Sequence, residues 1–157
     1  ILLDKKKAEK ELEKKALTSM FRPEARIKEG LALATSGTVT ACIDSSDGLL
    51  ESLRELMRVN HQGFVINELP VFVGIDKFAK DNNIPLEDLV LKGGEEYELV
   101  FTIKPDKLKE AKKAIKEAGG NLKIIGKVIR EEKIIFQKEG KNIEIRDRGF
   151  EHFSTNY

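Results

Sequence analysis

The segment 43–50, which reads Ile-Asp-Ser-Ser-Asp-Gly-Leu-Leu, carries the residues of this sequence best suited to chemistry. Its two carboxylates, Asp44 and Asp47, stand three positions apart and can place oxygen ligands on one hard cation such as Mg2+. A serine between them can donate a hydrogen bond to a phosphate oxygen. Serine and aspartate are also ordinary helix caps, and on the residues of this segment alone the capping interpretation is favoured.

A second acidic segment, 92–99, reads Lys-Gly-Gly-Glu-Glu-Tyr-Glu-Leu. Paired glycines let the backbone approach a ligand closely and allow positive φ. The acidic residues then enter an apolar strand, whose alternation would place Glu96 and Glu98 on one face, with Glu95 in the loop. A tight turn with an exposed acidic edge explains the same residues and is the better interpretation of this segment by itself.

Several well-known sites do not match the sequence. A calcium-binding loop that began at Asp44 would need glycine at its sixth position, where the chain has Leu49. The phosphate-binding GxxxxGK[ST] loop, the dinucleotide-binding GxGxxG fingerprint and the G-x-S-x-G elbow of serine hydrolases are missing from the sequence. The single cysteine, Cys42, excludes an internal disulfide and a four-cysteine zinc site, and its apolar neighbours predict a core residue.

These segments need strands and helices to position them. Apolar residues at helical spacing predict helices at 4–21, 23–35, 47–60, 76–81, 85–89 and 106–118. Apolar and β-branched runs predict strands at 38–43, 63–69, 97–103, 122–129, 133–137 and 142–146. Mostly alternating elements with a late hairpin at 138–141 predict an α/β sandwich with a mixed sheet. The segment 43–50 then joins a strand to a helix N-terminus, where free N–H groups face phosphate.

The composition limits the class of protein. The 28 Lys and Arg residues balance 27 Asp and Glu residues, which argues against a strongly basic nucleic-acid-binding protein. No apolar run reaches the roughly 18 residues of a membrane helix, and no signal peptide is recognisable, so we expect a cytoplasmic protein without a membrane partner. The length of 157 residues favours a single domain, 1–157. The chain starts at Ile1 in a stretch typical of the middle of a protein, so we expect a fragment.

Three blocks of the sequence, together with one upstream element, resemble the C-terminal domain of thiamine-monophosphate kinases. The blocks are 43–49, 93–99 and 149–153, and the element is the Arg-Pro-Glu-Ala-Arg of 22–26. This family belongs to the superfamily of aminoimidazole ribonucleotide synthetase, selenophosphate synthetase and a hydrogenase maturation factor. The resemblance implies an α+β fold, a three-layer α/β/α sandwich with a mixed sheet and partly ferredoxin-like topology.

The resemblance also implies an activity, the transfer of the γ-phosphoryl group of ATP to thiamine monophosphate to give thiamine diphosphate. Because the acceptor is already a phosphate oxyanion, Mg2+, positioning and electrostatics supply most of the rate, and no catalytic base is expected. The resemblance implies Asp44 and Asp47 as Mg2+ ligands and Ser46 as the ATP contact. It implies Glu95 and Phe150 as contacts to thiamine monophosphate, since a thiazolium cation suits a carboxylate and an aromatic face.

Two residues depart from the family pattern. The chain has Glu96 where the family prefers aspartate, and Phe150 where the family often has tyrosine. We expect Phe153 to anchor the C-terminal tail on the core while Phe150 lies against the thiamine ring system.

By resemblance, an N-terminal domain would supply further metal-binding aspartates and most of a homodimer interface. Its Gly-Asp-Asp-Ala type motif does not occur in this sequence. We therefore expect the chain to be the C-terminal half of a two-domain kinase and to be inactive alone. Two alternatives stay open: another ATP-dependent synthetase of the same superfamily, and a non-catalytic nucleotide-binding module.

Overall fold

The computed structural model describes residues 6–146, in which six α-helices and six β-strands are present. The helices are α1 (Lys10–Phe21), α2 (Ile27–Ser36), α3 (Leu49–Asn60), α4 (Ile75–Asp81), α5 (Leu86–Leu91) and α6 (Leu108–Glu117). The strands are β1 (Val39–Asp44), β2 (Gly63–Ile66), β3 (Leu99–Ile103), β4 (Gly126–Ile129), β5 (Ile134–Lys138) and β6 (Lys141–Glu144). None of these helices combines the length and apolar character needed to cross a membrane.

The strands form two sheets. Antiparallel strands β1 and β3 make a two-stranded ladder, and the other sheet has the order β4-β2-β5-β6. In that sheet β2 runs parallel to β5 and antiparallel to β4, so the predicted mixed sheet and α+β class are confirmed. Strands β5 and β6 form the predicted hairpin, whose two turn residues, Glu139 and Gly140, adopt the positive φ of a tight turn.

The β1–β3 ladder lies between two helical layers. On one face, Leu99 and Phe101 pack against the cluster that α2 and α6 build from Leu33, Ala111 and Ile115. On the other face, Ile43 and Val100 pack against the cluster centred on α3. The order of helices, strands and helices is the layering expected for an α/β/α sandwich.

Helix α3 packs against both sheets. Its apolar stripe includes Leu50 and Leu53, which are buried against Ile66 of β2 and Ile134 of β5. A helix with one wide apolar stripe is stabilised mainly by this packing and not by its intrinsic propensity. The core therefore fixes the position of α3, and with it the turn that precedes its first residue.

The structure corrects the placement of Cys42, which is exposed and not a core residue. Pairing with Phe101 places Cys42 on the α2 and α6 face of the ladder, but Phe101 and not Cys42 packs against those helices. Partial burial, aided by the charge of Asp44, raises the pKa of the Cys42 thiol.

The helix at the start of the chain is also shorter than expected. Helix α1 begins at Lys10, and α2 begins at Ile27 with Arg26 at its N-cap position, so Pro23 lies ahead of α2 and not in its first turn. Residues 22–26 connect α1 to α2. Arg26, the last of them, lies beside Glu98, the residue before β3.

Candidate functional site

The turn between β1 and α3 carries the first acidic segment, and we call residues 44–48 the aspartate turn. Gly48 occupies the N-cap position of α3 with φ of 90°, so neither a serine nor an aspartate side chain fills that position. The hydroxyl of Ser52 in α3 lies 2.9 Å from the carbonyl oxygens of both Asp44 and Gly48. The first helical turn is thereby tied to the end of β1, and the capping interpretation favoured by the residues alone is wrong at the N-cap.

The side chains of the aspartate turn divide into a buried and an exposed set. Ser45 is buried, with 2% of its surface exposed, whereas Ser46 is half-buried and Asp44 and Asp47 are exposed. The buried hydroxyl of Ser45 accepts a hydrogen bond from the backbone N–H of Glu98 at 3.2 Å. Ser45 therefore has a structural role, and the exposed aspartates and Ser46 are the groups that can meet a ligand.

The second acidic segment lies directly beside the first, and we call residues 92–98 the acidic loop. Asp44 pairs with Leu99 in the β1–β3 ladder, so β1 ends where β3 begins and both segments leave the same end of the ladder. The backbone N–H of Glu95 donates to the carbonyl oxygen of Ser46 at 2.7 Å. The backbone N–H of Ser45 donates to the carbonyl oxygen of Glu98 at 2.8 Å.

A close backbone approach completes this junction. A Cβ atom added to Gly48 would lie 1.7 Å from the carbonyl oxygen of Gly93, a distance that no side chain can occupy. Gly48 is thus needed both for its positive φ and for the space that it leaves.

The acidic loop is not the start of a strand, contrary to the sequence prediction. Glu95 and Tyr97 adopt φ of 66° and 53°, in the left-handed region that non-glycine residues seldom enter, and β3 begins only at Leu99. Strand alternation therefore does not apply to Glu96 and Glu98. The glycine pair allows positive φ, but Gly93 does not adopt it and instead leaves space for close packing.

The carboxyl group of Glu96 lies close to the backbone of the acidic loop. Its Oε1 is 3.0 Å from the point that a Cβ on Gly93 would occupy. Although the residue as a whole is exposed, loss of solvent around this carboxyl raises the pKa of Glu96, a backbone hydrogen bond lowers it, and the charge of Glu98 raises it further. The structure therefore gives Glu96 an environment different from that of a free surface carboxylate.

Arg26 brings the upstream 22–26 element to the same place. Its Nε lies 3.1 Å from Oε2 of Glu98 and its Nη2 lies 2.7 Å from Oε1, a bidentate pair. The hydrogen bond to Glu98 raises the pKa of Arg26, and partial burial opposes that shift. The sequence indicates 22–26 only through the family resemblance and carries no local signal for a role of Arg26, because Arg26 and Glu98 are 72 positions apart.

The aspartate turn presents two carboxylates at the strand–helix junction. The carboxylates of Asp44 and Asp47 are hard oxygen donors of the kind that Mg2+ prefers, and both are exposed at the strand–helix junction. Among residues 6–146, no group of three or more His, Cys, Asp or Glu side chains is arranged to hold a metal ion. The chemistry of these two carboxylates fits Mg2+, but two side chains alone do not complete its coordination. Phe150, the remaining predicted site residue, lies outside the described residues, as does Phe153.

The environment of Glu96 leads to a prediction about pH. Because its pKa in the folded protein lies above the ordinary value, the folded state holds this proton more tightly than the unfolded chain does. The free energy of unfolding should therefore fall as the pH rises from the ordinary pKa through the raised one. Glu96→Gln removes this loss, so the melting temperature of the variant, relative to that of the parent protein, should increase as the pH rises above the ordinary pKa of a glutamate.

The matched control is Glu131→Gln, at an exposed carboxylate on the connection between β4 and β5. Thermal unfolding followed by circular dichroism at several pH values measures the difference for each variant. Parallel curves for Glu96→Gln and the parent protein would show that the loop does not perturb this carboxyl group.

The comparison with protein families identifies one match across most of the chain. Residues 2–139 match the family described as AIR synthase related protein, C-terminal domain. A thiamine-monophosphate kinase from Nitrosopumilus maritimus is 37% identical over 153 residues, which cover 98% of this chain and 48% of that protein. A thiamine-monophosphate kinase from Pyrococcus horikoshii is 34% identical over 148 residues, which cover 90% of this chain and 42% of that protein. The chain spans about half the length of the curated relatives that it matches.

The fold also matches solved structures. The structure described as AaThiL complexed with AMPPCP and TMP superimposes with a TM-score of 0.72 and 24% identity, over 97% of this chain and 45% of that one. At this identity the likeness establishes the shared fold.

Proposed function

The chain belongs to the AIR synthase related family through the C-terminal domain of that family, and on that premise we propose that it is the C-terminal half of a two-domain thiamine-monophosphate kinase. The reaction is transfer of the γ-phosphoryl group of ATP to thiamine monophosphate, which yields thiamine diphosphate. The observation that carries the proposal is the junction of two separate acidic segments, with Glu95 N–H bonded to the Ser46 carbonyl at 2.7 Å. In this proposal the aspartate turn binds phosphate, the acidic loop binds the cationic ring, and the two segments together form one site.

Each exposed residue of the aspartate turn has a role in this proposal. Asp44 and Asp47 would hold Mg2+, which would supply charge neutralisation at the phosphates. The hydroxyl of Ser46 donates to a phosphate of ATP, beside the N-terminus of α3, whose first N–H groups favour an anion. AMPPCP, an analogue of ATP, is present in the AaThiL complex, which supports a nucleotide as one of the two ligands.

The acidic loop would bind the acceptor. Glu95 emerges from the loop beside Ser46, and its carboxylate can face the positively charged thiazolium ring of thiamine monophosphate. Phe150, outside the described residues, is proposed to contact the same ring. The two substrates are then aligned by neighbouring backbone segments, so positioning and charge compensation supply the rate.

The acceptor in the proposed reaction is already a phosphate oxyanion, so no base is needed. The one histidine within residues 6–146, His61, lies at the far end of α3. A helix of 12 residues separates it from the aspartate turn by about 18 Å. We assign no catalytic acid or base to the described chain.

The longer protein is proposed to add an N-terminal domain that completes the metal ligands and forms most of a homodimer interface, and to act in the cytoplasm. Nucleic acid and membrane are not among the proposed partners. Curated relatives named thiamine-monophosphate kinase, at 37% and 34% identity, favour this activity over another ATP-dependent synthetase or a non-catalytic nucleotide-binding module.

The test is a product assay on a protein of the relatives' full length that includes this chain. With ATP, Mg2+ and thiamine monophosphate we expect thiamine diphosphate, measured by the fluorescence of its thiochrome derivative after chromatographic separation from that of the monophosphate. Omission of thiamine monophosphate is one control, and its replacement by formylglycinamidine ribonucleotide or selenide, with ATP consumption as the readout, tests the rival synthetase activities. If the protein is folded and forms no thiamine diphosphate in this assay, the proposed function is wrong.

The 157-residue chain, assayed in parallel, is expected to be inactive, because in this proposal the N-terminal domain of the longer protein supplies the metal ligands that complement Asp44 and Asp47. Its folding can be confirmed by circular dichroism before the assay. Turnover by this chain at a rate typical of kinases, about 1–100 per second, would contradict the need for a second domain.

A further inference from the structure

We propose that Arg26 is a positioning residue, which fixes the acidic loop through Glu98 so that Glu95 is held at the acceptor side of the site. The inference rests on the proposed function, and it adds a residue from outside the two acidic segments. The pair consists of two parallel N–H to oxygen contacts at 3.1 and 2.7 Å. Such bidentate pairs fix the direction of the carboxylate as well as its distance.

The position of Glu98 gives this contact its importance. The backbone of Glu98 is bonded to Ser45 in both directions, N–H to the buried hydroxyl and carbonyl to the backbone N–H. Its side chain is bonded to Arg26, so both the backbone and the side chain of Glu98 are held in place. Glu95, three positions earlier, is bonded to Ser46. The acidic loop is thus attached to the aspartate turn through Glu95 and through Glu98. Arg26 holds the side chain of Glu98.

The backbone between these points requires such support. Glu95 and Tyr97 hold left-handed conformations, which persist only where the surrounding contacts impose them. Without Arg26, the carboxylates of Glu96 and Glu98 would repel each other with no cation bonded to either among the ion pairs of the described chain. The loop would then relax toward ordinary φ, and Glu95 would turn away from Ser46.

Arg26 is itself aimed at the loop by its neighbours. It stands at the N-cap position of α2, and its Nη1 lies 3.7 Å from Glu24 and 3.9 Å from Glu29. Glu29 lies in the first turn of α2, whose Leu33 is buried in the core. The guanidinium is therefore oriented from a fixed helix, and its Nε and Nη2 edge is directed at Glu98.

The variants Arg26→Gln and Glu98→Gln, made in the full-length protein, test this inference. The matched control is Arg58→Gln, because Arg58 makes the same bidentate contact with Glu55 on an exposed part of α3. We expect Arg26→Gln to raise the KM for thiamine monophosphate on the order of ten-fold, with the KM for ATP nearly unchanged. Arg58→Gln should change neither, and Arg26→Lys should be intermediate because lysine cannot form the fork.

The double variant Arg26→Gln/Glu98→Gln should be no worse than the poorer single variant, since both changes break one contact. Additive losses would overturn the inference by showing that Arg26 acts on substrate directly. If the KM values for thiamine monophosphate and ATP increase equally and the melting temperature falls in proportion, Arg26 has only a structural role. That result would also overturn the inference.

Hydrogen exchange separates this inference from the proposed function. Amide exchange of residues 93–99, followed by mass spectrometry, should accelerate in Arg26→Gln and not in Arg58→Gln, whatever reaction the protein catalyses. If the parent protein forms no thiamine diphosphate but exchange still depends on Arg26, the function is wrong and the positioning role stands. If exchange is unaffected, the positioning role is wrong even in an active kinase.

Discussion

Replacement of Gly48 by alanine is expected to lower the free energy of unfolding by roughly 3 kcal/mol or more. The new Cβ would lie 1.7 Å from the carbonyl oxygen of Gly93 and 2.9 Å from its carbonyl carbon, so the clash is with backbone that a rotamer change cannot relieve. Alanine at φ of 90° would also be strained whatever the space available. Urea unfolding followed by circular dichroism measures the loss.

The control separates the two causes of that loss. Gly37 also has positive φ, 63° at the C-cap of α2, but a Cβ added there would meet no atom within 4 Å. Gly37→Ala therefore measures the strain alone, about 1 kcal/mol. Similar losses at both positions would show that the acidic loop moves aside easily and that the junction of the two segments is loose.

The second large effect is expected for Asp47→Asn in the full-length protein, a fall in kcat on the order of a hundred-fold. Asparagine keeps the size of aspartate but removes the charge that attracts Mg2+. Since Gly48 and not Asp47 fills the N-cap position, and asparagine keeps the size of the side chain, the loss of activity should far exceed any loss of thermal stability. Raising the Mg2+ concentration should restore part of the activity, because weaker metal binding is the cause of the loss.

Asp106→Asn, at an exposed aspartate in the short turn before α6, is the matched control and should leave both activity and metal dependence unchanged. If Asp47→Asn retains full activity and instead lowers the melting temperature, the carboxylate stabilises the turn and is not a metal ligand. The assignments of Asp44 and Ser46 would then need the same examination.

The main elements of the fold could be predicted from the sequence, because their apolar residues recur at the right period. Helix α3 and strand β1 lie within two residues of their predicted bounds, and the hairpin of β5 and β6 lies where its turn residues indicated. These elements also place Asp44 and Asp47 at the predicted junction of a strand and a helix. Local periodicity and turn chemistry act within a few residues, so a single sequence carries them.

What the sequence did not predict depends on contacts between distant residues. Glycines are the residues that adopt positive φ most readily, yet in the acidic loop the tertiary contacts with Ser45 and Ser46 impose it on Glu95 and Tyr97. The apolar neighbours of Cys42 favoured burial, but a two-stranded ladder leaves that residue uncovered. The pair of Arg26 with Glu98 has no local signal at all. The roles of Phe150 and Phe153, outside residues 6–146, stay predictions.

The ladder that joins the two segments has a consequence for the order in which the protein folds. Thr40 and Thr102, whose hydroxyl oxygens lie 2.7 Å apart, are 62 positions apart in the chain, and α3, β2, α4 and α5 lie between them. Closing so large a loop lowers the entropy of the chain before any contact between the strands stabilises it. Such long-range pairing is therefore slow. The hairpin and α3 can form early from local contacts, whereas the site forms only when β1 meets β3. A chain caught halfway would therefore have most of its helices and no binding site, and any ligand of the site would draw it toward the folded state.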